Sequence, residues 1–271
     1  MKNVLKLPKL LFLLLFSISI ISCDNDDNDD QTEQVVLTIV QIAAQEPDLS
    51  ILVEALTAAD GDLLTTLSGG NFTVLAPTND AFAEFLSANG FASLEEVPTD
   101  VLSNILLNHV ITGEVVSTDL TTAGSGYTTT NATNLDGDNL SLYFSTTDGV
   151  EFNGLSGVVL ADIPATNGII HVVDAVIGLP TVVTFATSNP MFETLVAALT
   201  REDLTTDYVS VLSSVASPSP FTVFAPTNEA FGSLLTEVGM GSLSEIPVDL
   251  LTSTLNTHVV ASANVRSGDL T

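Results

Sequence analysis

Positive charge is nearly missing from this chain of 271 residues: five Lys and Arg stand against 33 Asp and Glu. Three of the five, Lys2, Lys6 and Lys9, lie at the very start, so beyond them only Arg201 and Arg266 remain. A surface of that sign repels nucleic acid and anionic lipid headgroups wherever charge acts, which excludes nucleic-acid binding. The plain consequence of the acidity is solubility. Tryptophan is absent and cysteine occurs once. A single cysteine closes no internal disulfide, so folding rests on burying hydrophobic residues. At 45% of the chain these suffice for one or two ordinary cores.

The signatures of catalysis are missing too. No serine stands in Gly-x-Ser-x-Gly, and Gly154-Leu155-Ser156-Gly157, the nearest approach, fails on spacing. No Gly-x-x-x-x-Gly-Lys-Ser/Thr loop is present. Carboxylate pairs such as Asp136-Gly137-Asp138 fall in turns, and in a chain this acidic nearby pairs are expected. The three histidines cannot close a zinc site without clustered cysteines or carboxylates at ligand spacing. His109 and His258 each follow a leucine, Leu102 and Leu251, by seven residues on the apolar side of a helix, and His171 sits between Ile170 and Val172 in a strand. They read as buried histidines bonded to backbone or to the Thr-Asn turn. The sequence therefore implies no enzyme, no metal and no cofactor.

At the N-terminus, three lysines precede the apolar run Leu10 to Ile21, then Ser22 and Cys23. A basic start, about a dozen apolar residues and a small residue at the end make a secretion signal, residues 1–22, too short to remain as a membrane span. Ile20-Ile21-Ser22-Cys23 resembles the bacterial lipobox, which implies that Cys23 becomes the lipidated first residue and membrane anchor. Residues 23–34 then form an acidic tether, whose stretch from Asp24 to Gln34 reaches about 35–40 Å at about 3.3–3.6 Å per residue. Its acidic run lacks the glycine and closing glutamate of a calcium loop. Such runs after a lipidated cysteine resemble export signals to the outer face of the outer membrane. Surface display is the expectation, with a periplasm-facing protein as the alternative.

An internal repeat organises the rest. Phe72-Thr73-Val74-Leu75-Ala76-Pro77-Thr78-Asn79-Asp80-Ala81-Phe82 returns as Phe221-Thr222-Val223-Phe224-Ala225-Pro226-Thr227-Asn228-Glu229-Ala230-Phe231, an offset of 149. Leu52 to Thr57 returns as Leu195 to Thr200 at an offset of 143, so the second copy has six extra residues, most simply in the Ser213–Pro220 loop. The copies span 35–180 and 181–271. The second stops about thirteen residues past His258, where the first continues for about seventy past His109, so it is expected to be an incomplete module.

Within a copy, Leu49, Leu52, Val53 and Leu56 share a helical face over Pro47 to Ala59, and Phe72 to Leu75 reads as a short buried strand. Thr78 is placed to cap a helix burying Ala81, Phe82, Phe85 and Leu86, and a third helix runs from about Thr99 to His109. Beyond it Leu140 to Phe144, Val150 to Phe152, Val158 to Leu160 and Ile169 to Val176 read as strands between Gly and Asp turns. The class is α+β, helices early and sheet late.

These blocks resemble the fasciclin (FAS1) domain. The Phe72, Pro77, Thr78, Asn79, Phe82 block and its twin at Pro226, Thr227, Asn228 and Phe231 match the family's first signature. Asn167-Gly168-Ile169-Ile170-His171-Val172-Val173-Asp174, with Leu179-Pro180, matches the second, and His109 and His258 lie in the Asn-His element. The resemblance implies two tandem copies of a β-wedge or sandwich flanked by helices, and a non-catalytic role in cell-to-cell or cell-to-matrix adhesion. Its adhesion element maps onto Asp162-Ile163, flanked by Leu160-Ala161 and Pro164 where the family form differs. The other reading of that pair is structural, with Ile163 in the core and Asp162 in a turn. Expected partners are the membrane through the lipid anchor, surface or matrix proteins or polysaccharide, and further copies of the chain. The alternative function is binding of a small apolar ligand or polysaccharide in the cell envelope.

Overall fold

A computed structural model describes residues 37–270. The signal, Cys23 and the acidic tether lie outside the described residues. Helix α1 (Ile39–Gln45) begins at Thr38, whose hydroxyl accepts the Gln41 N–H while the Gln41 side chain accepts the Thr38 N–H. That reciprocal box satisfies two donors a helix start leaves open. A 3-10 turn at Pro47–Leu49 leads into α2 (Ser50–Ala58), followed by α3 (Leu63–Gly69). Strand β1 (Phe72–Pro77) is buried along its whole length, and α4 (Asn79–Ala88) starts where Thr78 accepts the Ala81 N–H. Then come α5 (Thr99–Leu107), β2 (Val110–Thr112) and α6 (Ser117–Ala123). Strands β3 (Ser125–Thr133), β4 (Asn139–Ser145), β5 (Glu151–Phe152), β6 (Ser156–Ala165) and β7 (Gly168–Val173) close the first copy.

The sheet runs β2-β1-β7-β6-β5-β4-β3, antiparallel throughout except for the parallel pair β1 and β7. Early and late segments are thus neighbours at its centre. Strand alternation then builds two cores. Phe72, Val74 and Ala76 of β1 and Ile170 of β7 face the layer of α1 to α5, while Leu75 and Val173 face Leu142, Phe144 and Phe152 on the other side. Each buried Leu, Ile or Phe contributes about 1.5–3 kcal/mol.

The second copy repeats the plan: α7 (Val182–Ser188), α8 (Glu193–Leu199), α9 (Tyr208–Ser213), β8 (Phe221–Val223), α10 (Asn228–Val238), α11 (Val248–Thr257) and β9 (Val259–Ala261). Its core holds Leu195, Tyr208, Leu212, Phe231, Leu251 and Leu255. The capping box at Thr38 recurs at Thr181. The six extra residues are divided. Leu63 and Leu67 correspond to Tyr208 and Leu212, an offset of 145, so two are spent before α9 and only four fall in the loop ahead of Phe221.

Several elements depart from the sequence expectation, which also lacks the short strand β2. Helices α1, α3 and α6 have seven residues each, too few turns to print a periodicity. Strand β3 is built of Ser, Thr and Asn with little apolar alternation, and its partner β4 holds it in the sheet. The third helix ends at Leu107, two residues short of His109.

Asn79 joins helices that the sequence leaves separate. Its side-chain oxygen accepts the Ile51 N–H at 2.9 Å and its amide donates to the Pro47 carbonyl at 2.9 Å. Asn228 does the same with Thr194 N–H and the Pro190 carbonyl, at 2.8 and 2.9 Å. Asn79→Ala removes both bonds and leaves the half-buried Ile51 N–H open. The expected loss is about 1–2 kcal/mol of stability in chemical denaturation.

Candidate functional site

Strand β6 keeps no regular register against β7: it slips between Val158 and Leu160 and again between Leu160 and Ile163. At the second slip Asp162 adopts φ 58°, a left-handed conformation that costs a residue with a Cβ about 1–2 kcal/mol. Three contacts hold it there. Its N–H donates to His171 Nδ1 at 3.2 Å, and its carboxylate accepts the Ser117 N–H at 2.8 Å and the Ser117 hydroxyl. His171, itself buried, donates from Nε2 to the Val115 carbonyl at 2.8 Å. The Val115 N–H donates to the Thr73 hydroxyl, which donates to the Gly113 carbonyl, both at 2.8 Å. One chain of bonds thus ties β1, the segment after β2, β7 and the bulge of β6.

The arrangement splits the Asp162-Ile163 pair. Ile163 packs half-buried on the helix-side core, while 38% of the Asp162 side chain is exposed. Partial burial pulls the Asp162 carboxyl upward. The Ser117 hydroxyl and N–H, with His171 nearby, outweigh that and hold it below the usual aspartate range. Ser117→Ala is expected to bring the Asp162 pKa back toward the ordinary value, read by NMR titration. Ser117 and Val115 carry no sequence signal. Thr73 does, since Thr222 repeats its bonds to the Ala263 carbonyl and the Val265 N–H.

His109 lies apart from this cluster and is fully used. Its Nδ1–H donates to the Ile105 carbonyl at 2.8 Å, and Nε2 accepts the Ile177 N–H at 2.8 Å. Burial drives its pKa down to about 4, against a smaller upward pull from the Ile105 carbonyl. His258 has only the first half of this arrangement, Nδ1 to the Thr254 carbonyl at 2.8 Å, and is half-buried where a buried position was expected. The segment that carries Ile177 in the first copy has no counterpart among the described residues of the second.

Asn167-Gly168 opens β7. The Asn167 side chain accepts the Ile39 N–H at 2.9 Å and donates to the Leu67 carbonyl, and its own carbonyl accepts the Phe72 N–H at 3.1 Å. One residue thereby fastens α1, α3 and β1. Gly168 has φ +139°, and a Cβ there would stand 1.8 Å from the Phe72 carbonyl oxygen. Phe82 and Phe231 fill their cores, Pro77 ends the buried β1, and Thr227 caps α10 as Thr78 caps α4. Among the described residues, no three His, Cys, Asp or Glu side chains come together as a metal would require.

A profile of the fasciclin domain matches residues 47–180 and 190–271. The chain belongs to the fasciclin family. Its α+β architecture, a seven-stranded sheet flanked by helices, is accordingly the fasciclin fold. Protein sll1483 of Synechocystis is 37% identical over 142 residues, 52% of this chain and 73% of that protein. The cell surface glycolipoprotein MPT83 of Mycobacterium tuberculosis is 32% identical over 143 residues, 51% of this chain and 59% of its own. Transforming growth factor-beta-induced protein ig-h3 of Oryctolagus cuniculus is 30% identical over 196 residues, 72% of this fasciclin chain but 26% of its own length. A solved FAS1 domain pair from the insect cell adhesion molecule Fasciclin I covers 82% of this chain and 76% of that one, with 20% identity and a TM-score of 0.49.

Proposed function

We propose that this fasciclin chain is a non-catalytic adhesion protein, anchored at the cell surface through Cys23, whose modules act by their outer faces. One observation carries the reading. Most groups that would serve chemistry are consumed inside the frame: both nitrogens of His109 and of His171, and the amides of Asn79, Asn167 and Asn228, while His258 is held through Nδ1 alone. What is left for function is exterior surface. The likeness to a cell surface glycolipoprotein supports the surface placement, and the lipobox-like Ile20-Ile21-Ser22-Cys23 supports the anchor. The partners are other surface or matrix proteins or polysaccharide, bound weakly per module and strengthened by many copies on one membrane.

Beads coated with the chain test this. They are expected to aggregate or to stick to matrix or polysaccharide, and no attachment across a broad panel would sink the reading. For placement, protease added to intact cells should remove the protein. Survival until the outer membrane is opened would put it in the periplasm.

A further inference from the structure

The seven-stranded sheet of the first module almost closes on itself. Its two outermost strands, β2 and β3, pack against each other without forming a ladder. Where they meet, the Thr112 hydroxyl donates to the Asn131 side-chain oxygen at 2.9 Å. Strand β3 is bulged there: its register with β4 slips between Thr129 and Thr133, which takes Asn131 out of the ladder and turns it to β2. Along this seam lies a cleft of about 350 Å³, within the range of about 300–1,000 Å³ that small-ligand sites occupy. Ile111 and Val115 give it an apolar surface, threonine and asparagine side chains supply the rest, and no lining residue carries a charge.

The polar groups of the cleft are only half used. Asn131 spends its oxygen on Thr112, and Asn139 spends its amide on the Thr130 carbonyl at 2.7 Å. The Asn131 amide, the Asn139 side-chain oxygen and the hydroxyls of Thr128 and Thr129 make no hydrogen bond among the described residues. Asn79 and Asn167 are the opposite case, with both ends of each side chain bonded inside the frame.

We propose that this cleft binds a neutral polysaccharide, which lays a short stretch of sugar rings over the seam of β2 and β3. The proposal rests on the adhesive reading and selects polysaccharide among its partner classes. A sugar ring carries hydroxyls, each both donor and acceptor, around its rim and C–H groups on its faces. The cleft answers with a free amide donor, a free amide acceptor and two free hydroxyls beside Ile111 and Val115. Charge makes the glycan neutral. With no cation in the lining and a formal net charge of −28 on the chain, a uronate, sulfate or phosphate group finds no partner and meets repulsion. Geometry sets a peptide aside. A strand inserted between β2 and β3 needs them roughly 10 Å apart, about twice the usual spacing, and the Thr112–Asn131 bond holds them closer.

The test follows amide NMR signals of the full chain in detergent. The probes are neutral oligosaccharides cut from a glucan, a mannan, a galactan and a xylan, beside an oligouronate and a strand-forming peptide. At least one neutral oligosaccharide should bind saturably and shift Thr112 and Thr128–Asn131, while α10 and α11 stay unmoved and the other two probes shift nothing. Asn131→Asp keeps the oxygen that Thr112 reaches but turns the free donor into an acceptor. Affinity should fall by about tenfold or more at an unchanged melting temperature. Thr128→Val, which keeps the shape and removes one hydroxyl, should weaken binding by about two- to tenfold. The proposal is overturned if no neutral oligosaccharide shifts these amides, if the oligouronate or the peptide shifts them instead, or if Asn131→Asp binds with full affinity. Beads that still attach to matrix proteins while the cleft takes no sugar would sink this proposal and leave the adhesive reading standing. Sugar binding at the cleft without any bead attachment would do the reverse.

Discussion

Gly168→Ala is expected to open the first module, with a loss of about 4 kcal/mol or more. Two costs coincide at this position. The backbone sits at φ +139°, a region that residues with a Cβ almost never enter. The added carbon would also stand 1.8 Å from the Phe72 carbonyl oxygen, 2.8 Å from its carbon and 2.9 Å from the Phe72 nitrogen. These are backbone atoms of the neighbouring strand in a parallel pair, so no side chain can swing away. Relief requires parting β1 from β7, the centre of the sheet. Hydrogen exchange should show β1 and β7 losing protection while α10 and α11 keep theirs. Gly90→Ala separates strain from collision: its φ is +75°, but nothing lies within 4 Å of the new carbon, so about 1–2 kcal/mol is the expected cost. Equal effects at the two glycines would show that the close approach at Phe72 does not matter.

Acid should weaken the first module through His109, and His109→Ala should remove that part of the pH dependence. In the folded chain burial holds the imidazole at about 4, whereas an unfolded histidine titrates near 6.5. Between those values the unfolded chain binds the extra proton, so stability rises with pH. The contribution is whole above about pH 6.5 and is lost as pH falls toward 4, with a span of about 3 kcal/mol. The structural reason is that Nε2 accepts the Ile177 N–H, so a proton there would set donor against donor. His109→Ala leaves that buried N–H without an acceptor, for an expected loss of about 1–3 kcal/mol at neutral pH. Denaturation of the chain and the variant between pH 7 and 4 gives both numbers. A variant that keeps the full slope would assign the acid sensitivity to carboxylates instead.

The sequence displays its first-signature block twice, and that repetition made the two copies legible. The same block could not reveal why Asn79 recurs, because its partners Ile51 and Pro47 lie a helix away in the chain. His171 was readable as a strand histidine between apolar neighbours. Its bond to the Asp162 N–H was not, since that bond depends on a bulge set by pairing of β6 with β7. Asp162-Ile163 illustrates the limit well. The residues suggested either a recognition pair or a turn with a core anchor, and the bulge sends one side chain outward and the other into the core. Short helices escaped for want of turns, and β3 because its Thr and Asn side chains mimic a loop.

His109 and His171 belong to the frame of the fold, and ¹⁵N NMR of their imidazoles is the sharpest check of that role. His109 should appear protonated at Nδ1 with Nε2 accepting, and His171 in the opposite tautomer, protonated at Nε2 with Nδ1 accepting. Neither signal should move when zinc is added. Tautomers in rapid exchange, or zinc-dependent shifts at either ring, would mean that the imidazoles are free to act and would contradict a purely structural role.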